Sequence, residues 1–246
     1  MSEQMGVKSQ RNKVQSRPRI LDLFCWQGGA GMGYHRAGFE VIGVDIRHTK
    51  RYPFELHQAD ALEYLTASWQ QFDAVHASPP CRDKTKIGKR WGDAGTGWLL
   101  GATRKLLADL PIPWVIENVP GADMRADLVI CGCMVGLPRL RRERWFETSW
   151  HAYELRPPCH HPEPVISVHG HPGGSSRRDG KRLPSLADWK DAMGIDWMSR
   201  DGLAQAIPPA YTEHVGGHLM SMLSAQRKAR STARPAVTTI GTGLPK

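Results

Sequence analysis

A cysteine, a glutamate and a group of arginines stand where nucleophilic chemistry on an anionic substrate would need them. Cys81 follows Ser78-Pro79-Pro80, at the end of the apolar run Phe72-Asp73-Ala74-Val75-His76-Ala77. The two prolines stiffen the backbone and end strand pairing, which places the thiol on a rigid loop. A cysteine is often a small core residue. Here the segment from Arg82 to Arg90 follows at once, with five cations against one acid, so a core position is not expected. Cationic neighbours lower a thiol pKa and favour the thiolate. The same run suits either phosphate contact or a solvated loop. Glu117 lies between the apolar Trp114-Val115-Ile116 and Asn118-Val119-Pro120. A carboxyl so placed is partly desolvated, holds its proton more tightly and can donate it. Arg139, Arg141, Arg142 and Arg144 put four guanidinium groups into six residues, an anion site if they converge.

These groups need a scaffold, and the stretch from Arg19 to Asp45 supplies its first unit. An apolar run, Ile20-Leu21-Asp22-Leu23-Phe24, is followed by Gly28, Gly29, Gly31 and Gly33, an amphipathic stretch to Gly38, and a second apolar run ending at Asp45. Strand, glycine turn, helix, strand, acid is the order of a nucleotide-binding α/β unit. The glycines are read as letting the backbone approach a ligand. The acid, 17 positions after Gly28, is placed to accept hydrogen bonds from both ribose hydroxyls. A dinucleotide fingerprint needs a third glycine at 34 or 36, where Tyr34 and Arg36 stand, and no Gly-Lys-Ser/Thr follows. An adenosyl ligand without a pyrophosphate fits better than NAD or ATP. Asp60, after a third strand over Glu55 to Gln58, can cap the helix that follows or hold an adenine amino group.

The rest of the chain extends the same pattern. Apolar spacing over Trp98 to Leu110 predicts a helix. Asp127 to Cys131 and Glu143 to Thr148 read as the last strands. Residues 149–184 are rich in Pro, Gly, His and Arg and lack periodicity, which suggests an irregular insertion carrying DNA-contacting side chains. Cys131, Cys133, Cys159 and His161 can be imagined as a zinc set, but no Cys-x-x-Cys pair supports it, and the expectation is no metal. Ser185 and Asp188 have capping-box spacing ahead of a short helix. A final helix follows Gln205-Ala206-Ile207-Pro208-Pro209, and the pattern is lost after Ser224.

The net charge of +9 is not uniform. Residues 1–19 carry five Lys/Arg and one acid, residues 221–246 five Lys/Arg and no acid, and the stretch between is balanced. Such tails suit nucleic-acid phosphates or simply keep the ends soluble. With 40% hydrophobic residues, no membrane-length apolar window, no secretory h-region and five irregularly spaced cysteines, the expectation is a soluble cytoplasmic protein.

Taken in order, these stretches resemble the DNA cytosine-5 methyltransferase family, most closely its short phage-type members. The resemblance spans about residues 19 to 222: DLFCWQGGAGMG, Val44-Asp45, Ala59-Asp60-Ala61, Ser78-Pro79-Pro80-Cys81, Glu117-Asn118-Val119, Arg142-Glu143-Arg144 and QAIPPAYTEHVG. It implies an α/β, Rossmann-like doubly wound sheet with a small target-recognition insertion. By the boundaries expected here, residues 1–18 are a basic tail and 19–148 the cofactor-binding and catalytic domain. Residues 149–184 are the insertion, 185–224 return to the catalytic domain, and 225–246 are a second basic tail. The resemblance further implies S-adenosylmethionine as cofactor, lined by Phe24, Trp26, Gly28, Gly29, Asp45, Ile46, Asp60, Ala61, Pro79, Gln205, Ala206 and Ile207. Double-stranded DNA is the expected partner and a monomer the expected state, in a bacterial or phage-infected cell. Cys81 would attack C6 of a flipped-out cytosine, Glu117 would hydrogen-bond N3 and the amino group, and Arg142 and Arg144 would hold the base and its phosphate.

Three positions depart from the family's pattern. Trp26 stands where glycine is usual, Arg82 where glutamine follows the cysteine, and Leu140 where glutamine opens the arginine motif. With Asn118, Arg82 is assigned to substrate or donor selectivity. A donor bearing an acid on the transferred carbon would pair with Arg82. RNA as substrate and a catalytically inactive DNA-binding relative are the competing readings, and a short or relaxed recognition site is expected.

Overall fold

The computed structural model describes residues 16–80, 97–150, 152, 159–162, 164–168 and 184–232, the last three by backbone alone. Cys81 and Arg82 lie outside the described residues. Seven strands form one sheet: β1 Arg19–Leu23, β2 Glu40–Asp45, β3 Glu55–Gln58, β4 Ala74–Ala77, β5 Trp114–Asn118, β6 Leu128–Ile130 and β7 Arg144–Thr148. Their order is β3-β2-β1-β4-β5-β7-β6. Strands β1 to β5 run parallel to one another, and β7 inserts antiparallel between β5 and β6. The mixed α/β, Rossmann-like architecture expected from the sequence is therefore present.

The apolar runs are continuous because helices cover both faces of the sheet. On one face Leu21, Leu23, Ile42, Val44 and Ile116 pack with Leu65 of α2 (Ala61–Ser68) and Leu107 of α3 (Gly97–Ala108). On the other, Ile20 and Val41 meet Tyr34 of α1 (Gly29–Arg36) and Leu219 and Leu223. Each such buried side chain contributes about 1.5–3 kcal/mol. The shorter helices α4 (Leu186–Met193) and α5 (Arg200–Gln205) close one end with α6 (Pro209–Thr232). Ser185 and Asp188 form the capping box that begins α4, as their spacing predicts. Asp60 Oδ1 caps α2, accepting from the backbone N–H groups of Leu62 and Glu63 at 2.9 and 3.0 Å.

The structure departs from the sequence reading at three points. Helix α6 does not lose its pattern at Ser224 but continues to Thr232. Ala225-Gln226-Arg227-Lys228-Ala229 are good helix formers, and Arg227 pairs with Asp73 at 2.9 Å. Helix α5 escapes notice because it is a single short stretch capped by Ser199. The third point concerns the glycines. A Cβ on Gly29 would lie 2.3 Å from the Ile207 carbonyl oxygen, and one on Gly33 would lie 2.1 Å from Thr212 Oγ1. A Cβ on Gly28 would meet Pro53 at 2.7 Å. The glycines thus admit α6 and the β2–β3 connection against α1, rather than clearing space for a ligand.

Candidate active site at the carboxyl edge of the sheet

The strand tips bring most of the sequence candidates to one edge. After β1 the chain turns through Phe24 (φ 60°), Trp26 (φ 44°) and Gly28 (φ 81°). Left-handed backbone at two non-glycine residues costs about 1–2 kcal/mol each, so something must hold it. Asp45, buried at the tip of β2, does so: Oδ2 accepts from the Trp26 N–H at 2.9 Å. Oδ1 accepts from the Arg47 backbone N–H at 2.9 Å and from its Nε at 3.1 Å. A carboxylate has about four acceptor directions in all. Three are in use here, one of them by the half-exposed Arg47 side chain.

Gln27 fastens the same turn to the far end of the chain. Its carbonyl accepts from Trp197 Nε1 at 2.9 Å, and its side chain exchanges hydrogen bonds with Ser199. The remaining cofactor candidates divide by position. Ile46 is an apolar side chain half-exposed at the tip of β2, at 50%. Asp60 Oδ2 receives no hydrogen bond among the described residues. Trp26 Nε1 is buried without a partner, while Arg47 lies 3.7 Å from the centroid of the Trp26 ring. Ala61, Ala206 and Ile207 are buried; Gln205 is exposed, its amide turned to the Asp201 carbonyl. An exposed apolar face, an open acceptor and an orphaned donor along one edge fit an adenosyl group.

Pro79 is buried, and its carbonyl accepts from Asn118 Nδ2 at 2.9 Å. Asn118 Oδ1 accepts from the Val119 N–H. Asn118, assigned from sequence to selectivity, ties the chain that leads into Cys81 to the end of β5 with one of its two amide donors.

Glu117 is 5% exposed and lies within β5 itself, opposite Phe146 of β7. Two strand positions along, Arg144 sends Nε to Glu117 Oε1 at 2.9 Å. Burial pushes the Glu117 carboxyl above the usual carboxylate range, and Arg144, then Arg142, then a hydrogen bond from Ser78 oppose that push. Arg142 is anchored elsewhere: its guanidinium donates to the Val168 and Ala204 carbonyls, and burial lowers its pKa to about 9, with Arg144 adding to the effect. It stays charged near neutrality, and these two bonds brace the segment that leads into β7. Arg141 to Arg144 also line one wall of an open cleft of about 580 Å³, whose other wall includes Val165 to Val168 and Ala204.

A polar chain missed in the sequence runs to Glu117 from the core. Burial holds His76 neutral, lowering its pKa to about 3. Tyr34 Oη lies 3.0 Å from His76 Nδ1, and His76 Nε2 lies 2.8 Å from Ser78 Oγ. A buried hydroxyl donor needs an acceptor, so Tyr34 donates to Nδ1, Nε2–H donates to Ser78, and Ser78 donates to Glu117. The signal was present: His76 and Ser78 are two apart, on one face of an otherwise apolar strand.

No family model matches the chain. It is 29% identical over 112 residues to the type II methyltransferase M.FnuDI of Fusobacterium nucleatum, covering 42% of this chain and 33% of the relative. Against M.AgeI of Thalassovita gelatinovora it is 25% identical over 177 residues, 57% of this chain and 41% of the relative. Against M.HgiDI of Herpetosiphon aurantiacus it is 25% identical over half of each chain. The chain thus spans a third to a half of the length of these curated relatives. Two solved structures share its fold. One is a protein encoded within an E. coli prophage and assigned to the DNA modification methyltransferases (TM-score 0.56, 14% identity, 84% of this chain and 99% of that one). The other is the Entamoeba histolytica methyltransferase EhMeth (TM-score 0.55, 12% identity, 85% and 99%). The fold is that of the methyltransferases. Among the described residues, no helix is long and apolar enough to cross a membrane.

Proposed function

We propose that the chain methylates C5 of a flipped-out cytosine in double-stranded DNA. The observation that carries this reading is the buried Glu117–Arg144 pair at the end of β5, beside the Asn118–Pro79 tie that leads into Cys81. Cys81 forms a bond to C6 of the ring, and C5 gains nucleophilic character. Glu117, with its raised proton affinity, hydrogen-bonds N3 and the exocyclic amino group and lets negative charge build on the ring. Arg144 fixes which oxygen of Glu117 faces the base. A base takes the C5 proton, the C–H electron pair restores the C5–C6 double bond, and Cys81 leaves as the thiolate. S-adenosylmethionine, when bound, supplies the methyl group; Phe24, Trp26, Ile46 and Asp60 would hold it, with Asp45 for its ribose. The cationic cleft bordered by Arg141 to Arg144 suits the phosphates flanking the extruded nucleotide.

Duplex DNA containing 5-fluorocytosine tests this reading, because fluorine at C5 cannot be lost as a proton. With S-adenosylmethionine the wild-type protein forms a covalent adduct and Cys81→Ser does not. Absence of an adduct on duplex DNA, or its appearance on tRNA instead, refutes it. The unpartnered Trp26 Nε1 favours one second reading, a donor bearing a carboxylate on the transferred carbon, held by Trp26 and Arg82. Mass spectrometry of cytosine from DNA of expressing cells separates the two, since plain 5-methylcytosine sinks the altered donor.

A further inference from the structure

The four residues in which the sequence spacing offered little sign of a metal are brought together. The Sγ atoms of Cys131, Cys133 and Cys159 and a ring nitrogen of His161 all lie within 4.8 Å of one another. Cys133 and Cys159 sulfurs are 3.3 Å apart. His161 Nε2 is 3.2 Å from Cys159 Sγ and 3.4 Å from Cys131 Sγ. Tetrahedral zinc with its usual bond lengths puts two sulfurs about 3.8 Å apart and a sulfur and a nitrogen about 3.6 Å apart. These three pairs lie within a few tenths of an ångström of those separations, and no pair exceeds 4.8 Å.

The imidazole is oriented for that purpose. His161 Nδ1 lies 2.9 Å from the Pro138 carbonyl oxygen, an acceptor only, so Nδ1 carries the proton and Nε2 turns its lone pair to the three sulfurs. Metal-bound histidines are held in this way by a second hydrogen bond. The two halves of the set come from different places. Cys131 and Cys133 flank Gly132 at the end of β6, where a Cβ on Gly132 would lie 2.3 Å from the Leu140 carbonyl oxygen. Cys159 and His161 belong to the insertion, whose described part buries only Ile166 and Val168. A segment with so small a core needs a staple.

We propose that Cys131, Cys133, Cys159 and His161 bind one structural zinc ion that clasps the insertion to the catalytic sheet. Three thiolates and an imidazole in a closed tetrahedron select zinc over the harder divalent ions. The ion holds the segment behind the arginine motif. Pro138, Arg139 and Leu140 touch the ligand histidine and the insertion through backbone hydrogen bonds, and Arg142 reaches across to the Val168 carbonyl. The proposal does not depend on the substrate or on any methyl transfer.

Metal analysis of the full chain, purified under reducing conditions without chelator, tests it. About one zinc per chain is expected. Cys133→Ser, Cys159→Ser and His161→Ala should each lose most of it, whereas His160→Ala, an exposed neighbour outside the set, should keep it. Where a variant does not fold, the wild type still decides. A mercurial thiol reagent should release the zinc to a colorimetric chelator. Protein stripped and reloaded with cobalt(II) should show the visible bands of a tetrahedral thiolate site. Wild-type protein that carries no zinc and takes up no cobalt overturns the proposal, as does zinc retained in all three ligand variants. A Cys133–Cys159 disulfide in the freshly purified reduced-lysate protein overturns it too.

Discussion

Replacing Arg144 by alanine isolates the electrostatics of Glu117. The variant leaves a carboxyl inside β5 with its closest cation, 2.9 Å away, removed. Breaking a buried ion pair in this way commonly costs about 3–5 kcal/mol, because the remaining charge is uncompensated. Glu117 can escape that cost by keeping its proton. Relative to an ordinary glutamate at 4.5, holding the proton at pH 7 costs about 3.4 kcal/mol, at about 1.36 kcal/mol per unit. At pH 5.5 the same cost is about 1.4 kcal/mol. Protonation therefore caps the destabilisation, and the cap falls with pH. The sign follows from proton counts. Above 4.5 the unfolded variant releases this proton and the folded one retains it, so stability is greatest at low pH and is lost as pH rises through the elevated pKa. Urea denaturation of wild type and Arg144→Ala at pH 5.5 and 7 should show a difference that shrinks by up to about 2 kcal/mol at the lower pH. Adding Glu117→Gln to Arg144→Ala should abolish that pH dependence. Equal differences at both pH values, or a pH dependence that survives Glu117→Gln, would refute the argument.

Other substitutions probe the surrounding geometry. Ser78→Ala removes a hydrogen bond to Glu117 and orphans the His76 Nε2 donor, so it should lower stability by about 1–3 kcal/mol. It should also raise the pH at which Glu117 ionises, measured as a shift in the pH profile of adduct formation. Gly33→Ala drives a Cβ to 2.2 Å from the Pro209 carbonyl oxygen; a loss of at least about 1–3 kcal/mol, seen as a lower thermal midpoint, is expected. Trp26→Gly relieves left-handed strain of about 1–2 kcal/mol against a lost Arg47 stack of about 0.5–1 kcal/mol. Removing the partly buried indole also forfeits about 1.5–3 kcal/mol of apolar burial, so calorimetry should find the variant no more stable than wild type, with its cofactor affinity changed.

What was legible in the sequence follows from how strongly each feature is fixed locally. Strands buried on both faces read as unbroken apolar runs, so β1, β2, β4 and β5 could be laid out in advance, whereas β3 is a short, polar, half-exposed edge strand. Glu117 was legible as a desolvated acid because its apolar neighbours precede it directly. Arg142 and Arg144 were legible as a pair but not as a division of labour, since only the fold sends one to the Val168 and Ala204 carbonyls and the other to Glu117. Leu140 shows the same limit. It departs from the glutamine usual in the family the sequence resembles, and the structure places it, fully buried, among Leu128, Ile130 and Phe146. The thiol and imidazole quartet depends on residues 26 positions apart meeting across an aperiodic segment, and no local spacing rule anticipates that.

The glycine turn shows why a correct motif can carry an incorrect reason. Four glycines before a helix were read as clearance for a ligand, yet the atoms nearest their missing side chains belong to Ile207, Pro53, Asp22 and Thr212. Their smallness lets the N-terminus of α6 lock onto α1 and so brings the Ala206-Ile207 stretch beside the turn. On the proposed function, discrimination among adenosyl ligands would not come from space left by the missing Cβ atoms. It falls to the side chains standing at the strand tips: the ring at 26, the half-exposed isoleucine at 46 and the free oxygen of Asp60. Of these only Trp26 departs from the family's pattern, and it is also strained, stacked under Arg47 and left with an unsatisfied N–H. On the proposed function, position 26 is therefore where a change of ligand preference should be sought first.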